Sequence, residues 1–253
     1  MICILSPAKT MKSVDYFPEM NQTEPTFITE SQELVLLLKQ YTSSEIVEMM
    51  SISSTLAQLN FERFQNWDEK KTDLTKAIFA YQGDVYTGLD AKNMSNEDLH
   101  FAQKHLRIVS GLYGVVKPFD AIKPYRLEMS TKLMNNKGDN LYNFWTESIT
   151  QAIVQSVNET EPRILINLAS NEYSKAIDSK KTDIKIISPE FKDSKDGNYK
   201  IISFFAKKAR GMMARYIITN RIKNIDDLKH FDMDGYFFNE KLSTENKPVF
   251  TRG

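Results

Sequence analysis

The sequence predicts a mixed α/β (α+β) fold: a single compact domain over residues 1–253, with a central mixed sheet flanked by helices and a helix-hairpin-helix element in its N-terminal third. Short apolar runs of strand length alternate with segments of helical period from one end of the chain to the other. No internal repeat, low-complexity tract or linker breaks that alternation. Hydrophobic residues make up 41% and charged residues 26%, the usual globular balance, and 253 residues can bury a core without metal or disulfide support.

Taken in order, Cys3–Leu5 reads as a short buried strand ended by Ser6-Pro7, because proline lacks a donor and biases the residue before it toward extended backbone. A polar loop to about Thr29 follows. Ser31–Tyr41 has helical apolar spacing, Thr42 or Ser43 can cap a second helix through Met50, and Ser53–Trp67 continues as helix. Leu74–Ala80 reads as helix, whereas Val85–Leu89 and Leu106–Leu112 read as strands. Ser95 and Asp98 open a helix through His105 in the capping-box manner. Ile149–Val157 is helical, and Arg163–Leu168 and Ile184–Ile187 are buried-strand candidates. Tyr199–Phe205 reads as a strand leading into a helix over Ala206–Arg221.

Formal net charge is zero, which argues against a protein that coats nucleic acid through bulk positive charge. The charge is segregated instead. Tyr199–Lys223 carries Lys200, Lys207, Lys208, Arg210, Arg215, Arg221 and Lys223 with no acid among them. Lys104–Lys132 carries six Lys or Arg against Asp120 and Glu128, and the compensating acids lie in Asp15–Glu30 and Asp226–Glu240. No window approaches the ~18 apolar residues of a membrane helix. The Met-Ile-Cys-Ile-Leu start carries no basic leader, and the single cysteine, Cys3, cannot form an internal disulfide, so the expectation is a cytoplasmic protein without a membrane partner. His100, His105, His230 and Cys3 do not form a recognisable ligand set; no metal and no cofactor are expected.

Four stretches carry chemistry. Ser51, Ile52, Ser53 and Ser54 join two expected helices with the spacing of a helix-hairpin-helix, whose second helix offers backbone N–H groups and a partial positive charge to a DNA phosphate. Two serines stand where hairpin glycines are usual, and an ordinary capped turn between helices fits the same residues. Tyr81–Leu89 concentrates Gly83, Gly88 and Asp84, the last a base, a hydrogen-bond acceptor or a turn cap. Ser110–Gly114 runs on toward Lys123-Pro124-Tyr125-Arg126-Leu127-Glu128, where Arg126 offers a planar fork to phosphate or pairs with Glu128. In Asn167–Tyr173, capping and substrate contact by residues such as Glu172 look alike. On the following basic helix, Lys207, Lys208, Arg210 and Arg215 are candidate phosphate contacts, while Ala209 and Met213 can pack inward.

Ser-Pro-Ala-Lys at 6–9, the Tyr81–Ala91 stretch, Leu106–Met129, Leu165–Tyr173 and Tyr199–Ile222 together, over nearly the full chain and in order, resemble the YaaA family of peroxide stress proteins. Lys117 stands where that pattern has arginine, Ser130 where it has glycine, and Asn143 where it has aspartate. The resemblance implies a single compact domain, a positively charged cleft, binding of duplex or structured DNA through a helix-hairpin-helix element, and a role in limiting iron-dependent oxidative damage. The basic residues suit phosphate and no groove-reading helix is recognisable, so duplex or branched DNA is expected to bind with little sequence preference. Two functions follow as expectations. One is a DNA-binding stress protein without turnover. The other is an enzyme acting on a nucleotide or nucleic-acid base, with Lys9, Asp84, Arg126, Glu172 and Lys207 gathered in one cleft.

Overall fold

The computed structural model describes residues 1–14, 20–67 and 74–253. Asp15 and the 15–19 part of the expected polar loop lie outside the described residues. The chain opens on β1 (Ile2–Leu5) and a two-residue strand β2 (Thr10–Met11), then three helices, α1 (Ile28–Leu38), α2 (Ser43–Met50) and α3 (Ser54–Gln65). Thr42 caps α2 in a full capping box with Glu45. Next come β3 (Thr75–Lys76), α4 (Ala77–Ala80), β4 (Tyr81–Gln82), α5 (Asp84–Leu89) and α6 (Asn96–His105). The Ser95–Asp98 capping box opens α6 as the sequence predicts. Three strands, β5 (Leu106–Ser110), β6 (Gly114–Val116) and β7 (Ala121–Ile122), precede the long helix α7 (Leu141–Asn158). The chain ends with β8 (Ile164–Asn167), α8 (Asn171–Ser174), β9 (Lys185–Ile187), β10 (Glu190–Lys195), β11 (Asn198–Lys200), α9 (Ser203–Thr219), β12 (Phe237–Phe238) and β13 (Val249–Arg252).

The main sheet has the order β6-β5-β1-β8-β9, with β5, β1, β8 and β9 parallel and β6 antiparallel at one edge. Its central strand is apolar throughout because it is covered on both faces, and every residue of β1 is buried. A second sheet, β11-β10-β13-β12, is formed by the C-terminal third of the chain. Phe191, Phe231, Tyr236 and Phe250 pack edge to face or stacked in the core beneath it. The mixed α+β class is as the sequence predicts.

Several element readings are corrected. Val85–Leu89 is helix, not strand: its β-favouring residues yield to close packing of α5 on α9, where Tyr86 and Leu89 are buried. Only Ala77–Ala80 of the expected 74–80 helix is helical, because Thr75 and Lys76 pair with Ile122 and Ala121. The strand before α9 stops at Lys200, and Phe204 and Phe205 already belong to the helix. Ile149–Val157 is the second half of a helix that starts at Leu141 and is capped by Asn140, whose side chain accepts from Asn143 N. No helix of the described residues is long and apolar enough to cross a membrane.

Cys3 sits on β1 with no exposed surface to speak of, and desolvation pushes its thiol up to about 12 from 9.0. The thiolate is the reactive form, so in the native protein Cys3 is expected to resist both hydrogen peroxide and an aromatic disulfide reagent, with one thiol released only on denaturation. Rapid native-state labelling would contradict this burial. The same raised value makes its contribution to stability complete below pH 9 and lost as pH rises toward 12, since above pH 9 the unfolded chain binds fewer protons than the folded one.

Candidate functional site

A cleft of about 410 Å³ opens at the carboxyl ends of β1 and β8, the usual ligand position of a parallel sheet. Ser6–Thr10 leave β1 along one wall and Leu168–Tyr173 leave β8 along another, joined by Ser170 N donating to Ser6 Oγ at 2.8 Å and Ser6 Oγ donating to Ser170 Oγ at 3.2 Å. Tyr125–Glu128 form the third wall. Gly111 permits it: a Cβ there would lie 2.3 Å from Leu127 O, and its carbonyl accepts from Trp145 Nε1 at 2.9 Å. The fourth wall is the meeting of α5 with α9. A Cβ on Gly88 would stand 2.1 Å from Lys208 O, and one on Gly211 would stand 1.8 Å from Val85 O. The two helices therefore touch backbone to backbone, which sets Asp84 of α5 and Lys207 and Arg210 of α9 around one opening.

The wall charges are four cations, Lys9, Arg126, Lys207 and Arg210, against three carboxylates, Asp84, Glu128 and Glu172. Glu128 bridges two of the cations, 3.2 Å from Lys9 Nζ and 2.9 Å from Arg126 Nη2. Arg126 is 16% exposed, and its buried Nε has no hydrogen-bond partner among the described residues. Glu172 accepts from Ser130 N at 3.1 Å and from Ser130 Oγ at 2.9 Å. What remains is Asp84, Lys207 and Arg210, which line the cleft and have no ion pair or side-chain hydrogen bond among the described residues. Burial holds the Arg210 guanidinium below its ordinary pKa, opposed in part by the field of Glu190.

Behind the charges lies a buried tyrosine floor. Tyr86 OH donates to Ser6 O at 3.0 Å, and Tyr125 OH lies 2.8 Å from Tyr81 OH and 2.6 Å from Ser110 Oγ. Desolvation pushes Tyr125 up to about 12, and burial reinforced by Tyr125 carries Tyr86 and Tyr173 well above 10.0. All three line the cleft as neutral phenols at neutral pH. Among the described residues no group of three or more His, Cys, Asp or Glu is placed to hold a metal ion.

The structure brings Lys9, Asp84, Arg126, Glu172 and Lys207 into this one cleft, with Arg210 beside them. Lys9 pairs with Glu128 and not with Asp84. Lys208 and Arg215 lie outside the cleft. Lys208 is 3.4 Å from Asp234, and Arg215 donates to the carbonyls of Leu89, Asp90 and Asn93 and is 3.1 Å from Asp90 Oδ2, pinning the end of α5. The Ser110–Gly114 loop supports the 125–128 wall and does not line the cleft. Ser51, Ile52, Ser53 and Ser54 also lie away from it. Ser51 is left-handed at φ 50°, Ile52 is buried, and Ser53 Oγ accepts from Leu56 N, so α2 and α3 form a capped helical pair. Sequence reasoning missed Ser6, Ser170 and the tyrosines. Their one signal was a polar or aromatic residue just beyond each apolar strand run.

The family model described as peroxide stress protein YaaA matches residues 1–242. A UPF0246 protein of Hahella chejuensis (strain KCTC 2396) is 48% identical over 254 residues, covering 100% of this chain and 99% of its own. A UPF0246 protein of Shewanella baltica (strain OS223) is 48% identical over 256 residues with the same coverage.

Proposed function

This chain belongs to the peroxide stress protein YaaA family, and on that premise we propose that it serves the stress response by binding duplex or branched DNA, one nucleotide unit of which enters the cleft. The carrying observation is the pair Lys207 and Arg210, two cations that line a concave opening and have no ion-pair partner among the described residues. An arginine left unpaired and partly desolvated is costly unless an anion completes it, and phosphate does so through charge-assisted hydrogen bonds. A volume of about 410 Å³ suits one nucleotide and excludes a whole duplex. The phenols of Tyr86, Tyr125 and Tyr173 give the base an apolar, hydrogen-bonding floor. The Ser51–Ser54 turn is a secondary contact in this reading. No Lys or Arg occurs from 43 to 62, so it has only helix-terminal N–H groups to offer. Occupying DNA in this way would limit iron-dependent damage without the protein itself ligating iron.

Fluorescence anisotropy against salt tests the reading. With Lys207 and Arg210 as the principal phosphate contacts, log affinity should fall with log salt at a slope of about −2, near −0.9 per phosphate neutralised. A salt-independent isotherm, or no binding at low salt, overturns it.

One observation favours turnover as a second reading. Asp84 is a carboxylate without a side-chain hydrogen-bond partner among the described residues, and it stands at the cleft wall, where it can take a proton from a nucleophile while the cations hold the phosphate. Incubation with nucleosides, nucleotides and lesion-bearing duplexes should then give a product that Asp84→Asn abolishes. No product from any of them would leave binding as the function.

A further inference from the structure

The basic segment that opens the long C-terminal helix is only partly neutralised by the fold. Lys208, Arg215 and Arg221 are paired with Asp234, Asp90 and Asp98 at 3.4, 3.1 and 2.6 Å. Lys200, Lys207 and Arg210 have no ion-pair partner among the described residues, and they surround the first turns of α9. The same turns expose apolar surface: Tyr199 is 43%, Ile201 53% and Phe204 58% exposed. Phe204 and Lys207 are three apart on the helix, so the ring stands one turn from the ammonium that lines the cleft. Phe205 is engaged differently, its ring covered by the Arg252 guanidinium at 4.4 Å. Phe204 makes a T-shaped contact with Phe205, ring centroids 5.6 Å apart, and keeps more than half of its surface in solvent.

An aromatic ring in water, beside cations that the protein leaves unpaired, matches nucleic acid in both chemistries at once: a π-face for a base and positive charge for its phosphate. We infer that the rings of Tyr199 and Phe204, with the apolar side chain of Ile201 beside them, form a stacking platform for the unpaired bases of single-stranded DNA, whose backbone passes over Lys207 toward Arg210 in the cleft. The inference rests on the cleft reading above and deepens it. In an intact duplex the π-faces are already stacked on one another, so the platform selects DNA that presents unpaired bases next to the nucleotide in the cleft.

The test is anisotropy titration at low salt with a labelled ten-residue oligothymidylate, the same length of abasic oligomer, and a blunt duplex. The wild-type protein should prefer oligothymidylate to both. Phe204→Ala should weaken it roughly tenfold, the loss of about one stacked base, and leave the abasic oligomer unchanged. Phe204→Trp should restore or exceed wild-type affinity. Arg210→Ala should weaken all three ligands. If Arg210→Ala weakens binding but Phe204→Ala does not, the platform is wrong and the cleft reading stands. If wild-type protein binds none of the three, both fall. Sedimentation at the same concentrations closes the alternative, since a dimer that Phe204→Ala dissociates would make the patch a self-interface and overturn the proposal.

Discussion

Gly211→Ala is expected to be the most damaging single-methyl change in the cleft wall. The added Cβ would lie 1.8 Å from Val85 O and 2.7 Å from Leu89 N. Both atoms are backbone of α5, so no side chain can turn aside to make room. The helices must part, and parting them exposes Leu89, Ala209 and Met213, which are buried where α5 and α9 meet the core. Overpacking of this kind costs about 3 kcal/mol or more. For a chain of this size that is a fall in Tm of roughly 6–12 °C. Gly197→Ala is the control. That glycine has φ +74° but nothing within 4 Å of an added Cβ, so only backbone strain of about 1–2 kcal/mol applies. Equal Tm losses in the two variants would show that the contact between α5 and α9 is looser than described. Because Asp84 and Arg210 are held by these two helices, Gly211→Ala should also lose ligand binding at temperatures where it remains folded.

The Lys207→Ala, Arg210→Ala double variant is expected to lose DNA affinity by about a hundredfold or more at low salt, from two charge-assisted contacts of at least about 1.5 kcal/mol each. Its stability should not fall. Neither side chain has an internal ion pair or hydrogen bond to lose among the described residues, and burial already disfavours the charge on Arg210. Binding lost with Tm unchanged or slightly raised is the mark of a residue kept for function against stability. Arg215→Ala should do the reverse. It removes donors to Leu89 O, Asp90 O and Asn93 O from beneath Asp90, a left-handed residue at φ 48°, so the folded state weakens by about 1–3 kcal/mol while DNA binding persists. A double variant that unfolds would make Lys207 and Arg210 structural residues, and one that binds normally would move the phosphate site elsewhere.

The difference between Arg210 and Arg215 marks the limit of what is legible in one dimension. Both stand in the same acid-free run, on the same helix, five residues apart. Linear charge patterning treats them alike. Asp90, the partner that neutralises Arg215, comes from more than a hundred residues away, and which cations remain free depends on which distant acids the fold delivers.

Val85–Leu89 makes the same point for secondary structure. Its local composition favours a strand, and it is helical because Gly88 and Gly211 admit two backbones to contact, a pairing visible only once both helices exist. The class of fold, the strands around Cys3 and Ile166 and the caps at Thr42 and Ser95 were readable, because hydrophobic period, capping chemistry and turn residues are local properties. The tyrosine floor, the Glu128 bridge between Lys9 and Arg126, and the unpaired state of Asp84, Lys207 and Arg210 were not. They are set by long-range packing, which brings the ends of β1 and β8, the 125–128 wall and the α5–α9 contact to one point and leaves those three charges without a partner among the described residues.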